Sequence, residues 1–220
     1  YTAECSDAHP MDAASATDNC GEVTIDVVET TLPGACAGDY TITREFTATD
    51  DCGNATSATQ TITIIDTTAP EFTSIPADYT AECSDAHPMD AASATDNCGE
   101  VTIDVVETTL PGACAGDYTI TREFTATDDC GNATSATQTI TIIDTTSPVL
   151  TIPADYTAEC SDAHPMDAAS ATDNCGEVTI DVVETTLAGA CAGDYTITRE
   201  FTATDDCGNA TSATQTITII

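Results

Sequence analysis

The block YTAECSDAHPMDAASATDNCGEVTIDVVETTL occurs three times, starting at Tyr1, Tyr79 and Tyr156, so the chain repeats at 78 and then 77 residues. Whatever one block folds into must be buildable three times in succession. A unit of this length holds a small core of its own, unlike a solenoid repeat of roughly 30–40 residues, so tandem beads are expected rather than a continuous stack. The boundaries fall at 1–65, 66–143 and 144–220, with the first bead lacking its N-terminal segment. The differences lie in the joints, TAPEFTSIPAD and TSPVLTIPAD, and in one turn, where Pro33 and Pro111 give way to Ala188. The chain opens in mid-repeat without Met, which is the expectation for a window cut from a longer array.

Within a repeat the apolar residues alternate instead of following a helical period. Val23, Ile25 and Val27 alternate with Thr24, Asp26 and Val28; Tyr40, Ile42, Phe46 and Ala48 share one face of Asp39–Asp50; Ile62 and Ile64 do so in Ala55–Ile65. Each pattern predicts a half-buried strand with β-branched threonine on its wet face. Short strands separated by Gly, Pro, Asn and Asp make a β-sandwich the expected architecture. Arg44 falls on the apolar face by parity and calls for a carboxylate partner, since a buried guanidinium is costly alone.

Thirty-eight acids face three arginines (Arg44, Arg122 and Arg199) and no lysine, a net charge of −35. Nucleic acid and anionic membrane surfaces are excluded as partners, because both are bound through cationic side chains. No apolar run approaches the roughly 18–20 residues of a membrane span. The twelve cysteines divide four to a repeat, Cys5, Cys20, Cys36 and Cys52 in the first. Their wide spacing lacks the C-x₂-C pairs of zinc sites and predicts disulfides in an oxidising, extracellular compartment, with three connectivities open for each repeat. G-x-S-x-G, H-E-x-x-H and phosphate-loop motifs are missing, and each repeat's one histidine (His9, His87, His164) sits beside proline without a nucleophile. No catalytic residue is assigned, and an enzyme is not expected.

The order P-A-D-Y-T-A-E-C, A-T-D-N-C-G, Y-T-I-T-R-x-F-T-A-T-D-D-C-G-N and T-x-T-I-x-D-T-T-x-P resembles the hyalin-repeat type of immunoglobulin-like module. More narrowly, it is similar to the tandem modules of giant surface adhesins of Bacteroidetes-type bacteria, gliding-motility adhesins included. The resemblance implies an all-β tandem array of seven-stranded immunoglobulin-like sandwiches, secreted and used for adhesion or spacing. In that topology Cys20 and Cys52 are neighbours at the upper end of a bead, and Cys5 and Cys36 lie at the lower end. The implied pairs are Cys5–Cys36 and Cys20–Cys52, then Cys83–Cys114 and Cys98–Cys130, then Cys160–Cys191 and Cys175–Cys207, two disulfides inside each repeat.

The same topology runs each linker aspartate into the acidic loops atop the next bead. Crowded carboxylates need a counter-charge, and Ca²⁺ tolerates irregular oxygen cages. Interdomain Ca²⁺ is therefore expected at Asp66, Asp96, Asp128 and Asp129, and again at Asp144, Asp173, Asp205 and Asp206. Asp18, Asp50 and Asp51 are the corresponding acids of the first bead, without a linker aspartate. The function expected is a stiff, elongated stalk or filament of a cell-surface adhesin, held by disulfides and calcium. Its partners would be neighbouring repeats of the same chain, other copies in a filament, and an unidentified surface or glycan ligand. The alternatives are a Thr-rich ice- or surface-binding repeat and lateral assembly into a multi-chain filament.

Overall fold

Alternating threonine and apolar residues fold as the pattern requires. The computed structural model describes residues 1–220, an all-β chain of sixteen strands without a helix. The first repeat supplies β1 (Thr2–Glu4), β2 (Val23–Pro33), β3 (Tyr40–Asp50) and β4 (Ala55–Ile65). The second supplies β5 (Glu71–Ser74), β6 (Tyr79–Glu82), β7 (Ser93–Thr95), β8 (Val101–Pro111), β9 (Tyr118–Asp128) and β10 (Ala133–Ile143). The third supplies β11 (Val149–Thr151), β12 (Tyr156–Ala158), β13 (Ser170–Thr172), β14 (Val178–Ala188), β15 (Tyr195–Asp205) and β16 (Ala210–Ile219). Every repeat builds one four-stranded sheet, ordered β1-β4-β3-β2, β6-β10-β9-β8 and β12-β16-β15-β14, and two further antiparallel pairs form, β5–β7 and β11–β13. The first strand of each larger sheet runs parallel to the last, with Glu4 opposite Ile65, while the rest form an antiparallel meander.

The chain divides into two compact units: Tyr1–Pro76 with Asp90–Val106 and Glu123–Thr137, and Ala77–Met89 with Glu107–Arg122 and Gln138–Ile220. In the first, Ile42, Ile62 and Ile64 pack with Ala3, Cys5 and Tyr40; in the second, Ile120, Ile140 and Ile142 form one cluster and Ile197, Ile217 and Ile219 another. These residues share a strand face with the buried arginines, opposite the exposed Thr61 and Thr141 faces. At the β3–β4 turn Gly53 adopts φ +86°, a left-handed conformation that costs other residues energy, and Gly131 and Gly208 repeat it.

A complete repeat has six strands against the seven of the expected sandwich. The residues spanning His87 and Pro88 lie outside the ladders, and their carbonyls are used elsewhere. Arg122, buried by its place on the inner face, donates from Nε to Glu107 Oε2 at 2.8 Å, from Nη1 to the Pro88 carbonyl at 2.8 Å and from Nη2 to the His87 carbonyl at 3.1 Å. Gln138 Oε1 accepts a further bond at 3.3 Å. Arg44 and Arg199 repeat the arrangement with Glu29 and Glu184. The fork thus fastens an irregular segment to the sheet, which a ladder would otherwise have to do. Replacing it leaves the His87 and Pro88 carbonyls without their donor, so Arg122→Ala is expected to lower stability by about 2 kcal/mol in chemical denaturation. Arg122→Lys is expected to recover only part, since an ammonium cannot reproduce the planar fork.

Candidate functional site at the repeat joints

Strand polarity places the cysteines before any bond is considered. Cys5 follows the end of β1, where Glu4 faces Ile65, and Cys36 sits in the β2–β3 turn, where Tyr40 faces Ile64; both lie at the lower end of the sheet. Cys20 precedes Val23, which faces Asp50, and Cys52 follows Asp50 in the turn at the upper end. The expected placement is correct, but the expected pairing is not. The bridges cross the joints: Cys5–Cys98 and Cys36–Cys130 in the first unit, Cys83–Cys175 and Cys114–Cys207 in the second. Their Cα separations of 5.8, 5.1, 5.9 and 5.1 Å fall in the usual disulfide range.

Of the six internal pairs expected, none forms. Cys5–Cys36, Cys83–Cys114, Cys98–Cys130 and Cys175–Cys207 are replaced by joint-crossing bonds, and neither member of Cys20–Cys52 or of Cys160–Cys191 is bonded. Cys20, Cys52, Cys160 and Cys191 are unpaired and exposed. The physical reason is that the lower end of one repeat meets the upper end of the next, so the nearest thiol is across the joint. Each bridge spans 92 to 94 residues of sequence. Taken alone, each constrains the unfolded chain by about 1 kcal/mol more than a 30-residue loop would.

Between the two bridges of the first joint runs the linker. Asp66 is 7% exposed. Its N–H donates to Asp39 Oδ1 at 3.0 Å, its carbonyl accepts from Asn132 Nδ2 at 3.1 Å, and its Oδ1 accepts from the Thr68 N–H at 3.2 Å. Glu4 holds the next residue, accepting from the Thr67 N–H at 3.2 Å and from the Thr67 hydroxyl. Gly38 must stay glycine here, since a Cβ on it would stand 2.6 Å from that of Asp66. The second joint repeats the set with Asp144, Asp117, Asn209 and Glu82.

Burial is the largest influence on Asp66, only partly offset by the Thr68 N–H, and the carboxylates of Asp96, Asp128 and Glu4 add to it; together they hold its carboxyl above the usual range. Asp144 is raised in the same way by burial, Asp173, Asp205 and Glu82. For Asp128 burial alone would raise the pKa, but bonds from the Asn132 side chain and from the backbone of Asn132, Cys130 and Gly131 outweigh it and hold it low. Asp205 follows the same balance. Asp96 Oδ1 caps the Cys98 N–H at 2.8 Å, while its Oδ2 is buried with no partner; Asp173 Oδ2 is likewise orphaned.

The structure thus gathers Asp66, Asp96 and Asp128 and, in the second unit, Asp144, Asp173 and Asp205. Ligand atoms of Asp66, Asp128 and Cys130 lie within 4.8 Å of one another. The sulfur is committed to a disulfide, so the donor set is carboxylate oxygen, the chemistry of a hard cation. Asp129 is exposed and lies against Gly99, and Asp206 accepts from the Glu177 N–H, so these two brace a turn beside the cluster. Asp18 and Asp50 cap the N–H groups of Cys20 and Cys52, and Asp51 lies against Gly21. Glu4, Glu82, Asp39 and Asp117 escaped sequence reasoning. The spacing of A-E-C from the D-T-T joint is too long for any local pattern to pair them.

Residues 148–219 match a family model described as an HYR-like domain with 4 cysteines. Over 227 residues the chain is 34% identical to hyalin of Strongylocentrotus purpuratus, covering 94% of this chain and 18% of that protein. It is 31% identical to hyalin of Lytechinus variegatus, covering 41% of it, so the chain spans less than half the length of these relatives. Among solved structures, mouse protocadherin-24 EC1-3 aligns over 100% of this chain and 95% of that one at 15% identity and TM-score 0.37. Drosophila N-cadherin EC1-4 aligns over 83% and 57% at 14% identity and TM-score 0.35.

The opposed carboxyls give opposite pH responses in metal-free buffer. A raised carboxyl contributes stability that is full below its unfolded value, near 3.8, and lost as pH rises through the higher folded one. Asp66→Asn is therefore expected to raise the melting temperature at pH 7, with the gain vanishing near pH 4. A lowered carboxyl contributes above 3.8 and loses that contribution as pH falls, so Asp128→Asn is expected to lower it at pH 7. The HYR-like match with 4 cysteines covers residues 148–219, and the block that opens the third repeat at Tyr156 recurs from Tyr1 and Tyr79.

Proposed function

We propose that the chain is an extracellular adhesive repeat module, and that its joints make it a stiff stalk or filament segment of a large surface adhesin. The observation that carries this reading is the double bridge at each joint, Cys5–Cys98 with Cys36–Cys130 and Cys83–Cys175 with Cys114–Cys207. One bridge is a pivot; two on different loops remove the freedom to swing. Disulfides belong to oxidising compartments, which supports display outside the cell. The named relatives are hyalins, and membership of the giant bacterial adhesins remains part of this proposal. No helix is long and apolar enough to cross a membrane.

Calcium completes the proposed joint. Asp66, Asp96 and Asp128 would hold one ion, and Asp144, Asp173 and Asp205 another. The orphaned Oδ2 of Asp96 and Asp173 and the upward pressure on Asp66 and Asp144 are what a divalent cation would relieve. The ion would supply charge neutralisation, and the surrounding N–H and amide donors fix the carboxylates around it. Sites of this kind outside cells bind at roughly 10⁻⁴–10⁻³ M. Titration calorimetry is expected to give two sites, and the melting temperature should climb with Ca²⁺ in the parent. Asp96→Asn with Asp173→Asn should flatten both responses. Unsaturable binding in the parent, with scattering profiles indifferent to Ca²⁺, would rule the calcium clamp out.

Lateral assembly is a second reading, and one feature favours it. β2, β8 and β14 are sheet-edge strands with an unpaired side, and they expose Val28, Leu32, Val106, Leu110, Val183 and Leu187. Such edges pair readily unless charge prevents it, and Asp26 and Glu29 lie on the same strand. Concentration-dependent sedimentation under fully oxidised, thiol-blocked conditions separates this reading from the stalk.

A further inference from the structure

Each bridge of a joint ties one carboxylate-bearing turn to one acid that grips the linker. On the far side of the first joint, Asp96 Oδ1 accepts from the Cys98 N–H and Asp128 Oδ1 from the Cys130 N–H, both at 2.8 Å. On the near side, Cys5 follows Glu4, which accepts from the Thr67 N–H and hydroxyl. The Cys36 carbonyl accepts from the Asp39 N–H at 3.1 Å, and Asp39 Oδ1 accepts from the Asp66 N–H at 3.0 Å. The second joint repeats both arms. Asp173 and Asp205 cap Cys175 and Cys207, Glu82 precedes Cys83, and Asp117 bonds the Cys114 carbonyl and the Asp144 N–H.

The sulfurs stand beside the carboxylates as well. Ligand atoms of Cys5, Asp66 and Cys98 lie within 4.8 Å of one another, and so do those of Cys83, Asp144 and Cys175. Asp66 belongs to the linker, whereas Asp96 and Asp128 belong to two separate turns of the following repeat. The three meet where the two disulfides fasten those turns to the linker's anchors.

We infer that the joint disulfides gate the cation site: closed bridges hold the three carboxylates in one cage, and reduction frees the turns from the linker and releases Ca²⁺. The inference rests on the calcium clamp proposed above and adds its regulation. A bridge opens when two thiol groups of a reductant deliver two electrons and two protons. The S–S bond breaks, each cysteine sulfur keeps one proton, and the reductant leaves as its own disulfide. Asp96 and Asp128 keep their caps, which lie within their own turns; what is lost is the shared position of turn and linker. Groups that orient metal ligands from behind are worth roughly 10–100-fold in affinity, and the bridges act in that way. The coupling is reciprocal: the factor by which reduction weakens Ca²⁺ binding is the factor by which Ca²⁺ protects the bridges from reduction. Calcium and an oxidising medium therefore lock the joint together.

The test is calcium calorimetry on the full chain, its exposed thiols alkylated, with and without a dithiol reductant, while circular dichroism follows the sheets. Reduction is expected to weaken binding roughly 10–100-fold. Cys36→Ser with Cys130→Ser should weaken one site and leave the other unchanged, the second joint reporting that the chain has folded. Where full reduction melts the sheets, this variant decides. In a thiol–disulfide buffer read by mass mapping, saturating Ca²⁺ should lower the midpoint of a bridge by about 30 mV for each tenfold of coupling it carries. Equal affinity in oxidised and variant chains, with bridges equally reducible with and without Ca²⁺, would overturn the inference and leave the clamp standing. An oxidised chain that binds no calcium would overturn both.

Discussion

Everything at the joints depends on disulfides that bond forward across a boundary instead of closing within a repeat. A small β-unit with a three-isoleucine cluster such as Ile42, Ile62 and Ile64 has little apolar area to spend on stability. An internal bridge would reinforce each unit but leave the boundary flexible. A bridge across the boundary constrains a longer stretch of unfolded chain and fixes one repeat to the next with the same covalent bond. It also makes the stability of a repeat conditional on its neighbour.

The linker inherits its environment from that choice. With Cys5 tied to Cys98 and Cys36 to Cys130, Asp66 is enclosed, and its backbone is claimed on both sides by Asp39 and Asn132. Enclosure raises its carboxyl, while the same turn chemistry lowers that of Asp128. Two acids of one type are thus pushed apart by what surrounds them: one faces carboxylates and little solvent, the other faces N–H groups. One carboxylate held ionised beside one under electrostatic pressure is the arrangement on which the proposed calcium clamp rests, and the three arginines are bonded within the sheets.

The arginines illustrate the economy of the repeat. Each lies on the inner face of the second long strand of its repeat, where parity alone would call for an apolar residue, and each fastens an irregular segment through the carbonyls at His-Pro. A proline-bearing stretch cannot supply a full ladder of its own. The fork substitutes for the missing strand, and the sandwich has one strand fewer than expected.

Local chemistry is what the amino-acid sequence by itself determined. Strict alternation set β3 and β4 to within a residue; the parity of Arg44 called for a carboxylate, found in Glu29; and the Gly, Asn and Asp between strands called for turns, such as the one with Gly53 at positive φ. The resemblance also implied that Cys5 and Cys36 lie at one end and Cys20 and Cys52 at the other, where the strand pairing puts them. Which thiol lies nearest to which was decided by the packing of one repeat on the next, because pairing is a property of distance in space and near-identical repeats give every cysteine several partners of equal sequence merit. The same holds for Glu4 and Asp39, which reach Thr67 and Asp66 from 63 and 27 residues away. Periodicity carries information across a few residues of backbone, and only tertiary structure carries it across a joint.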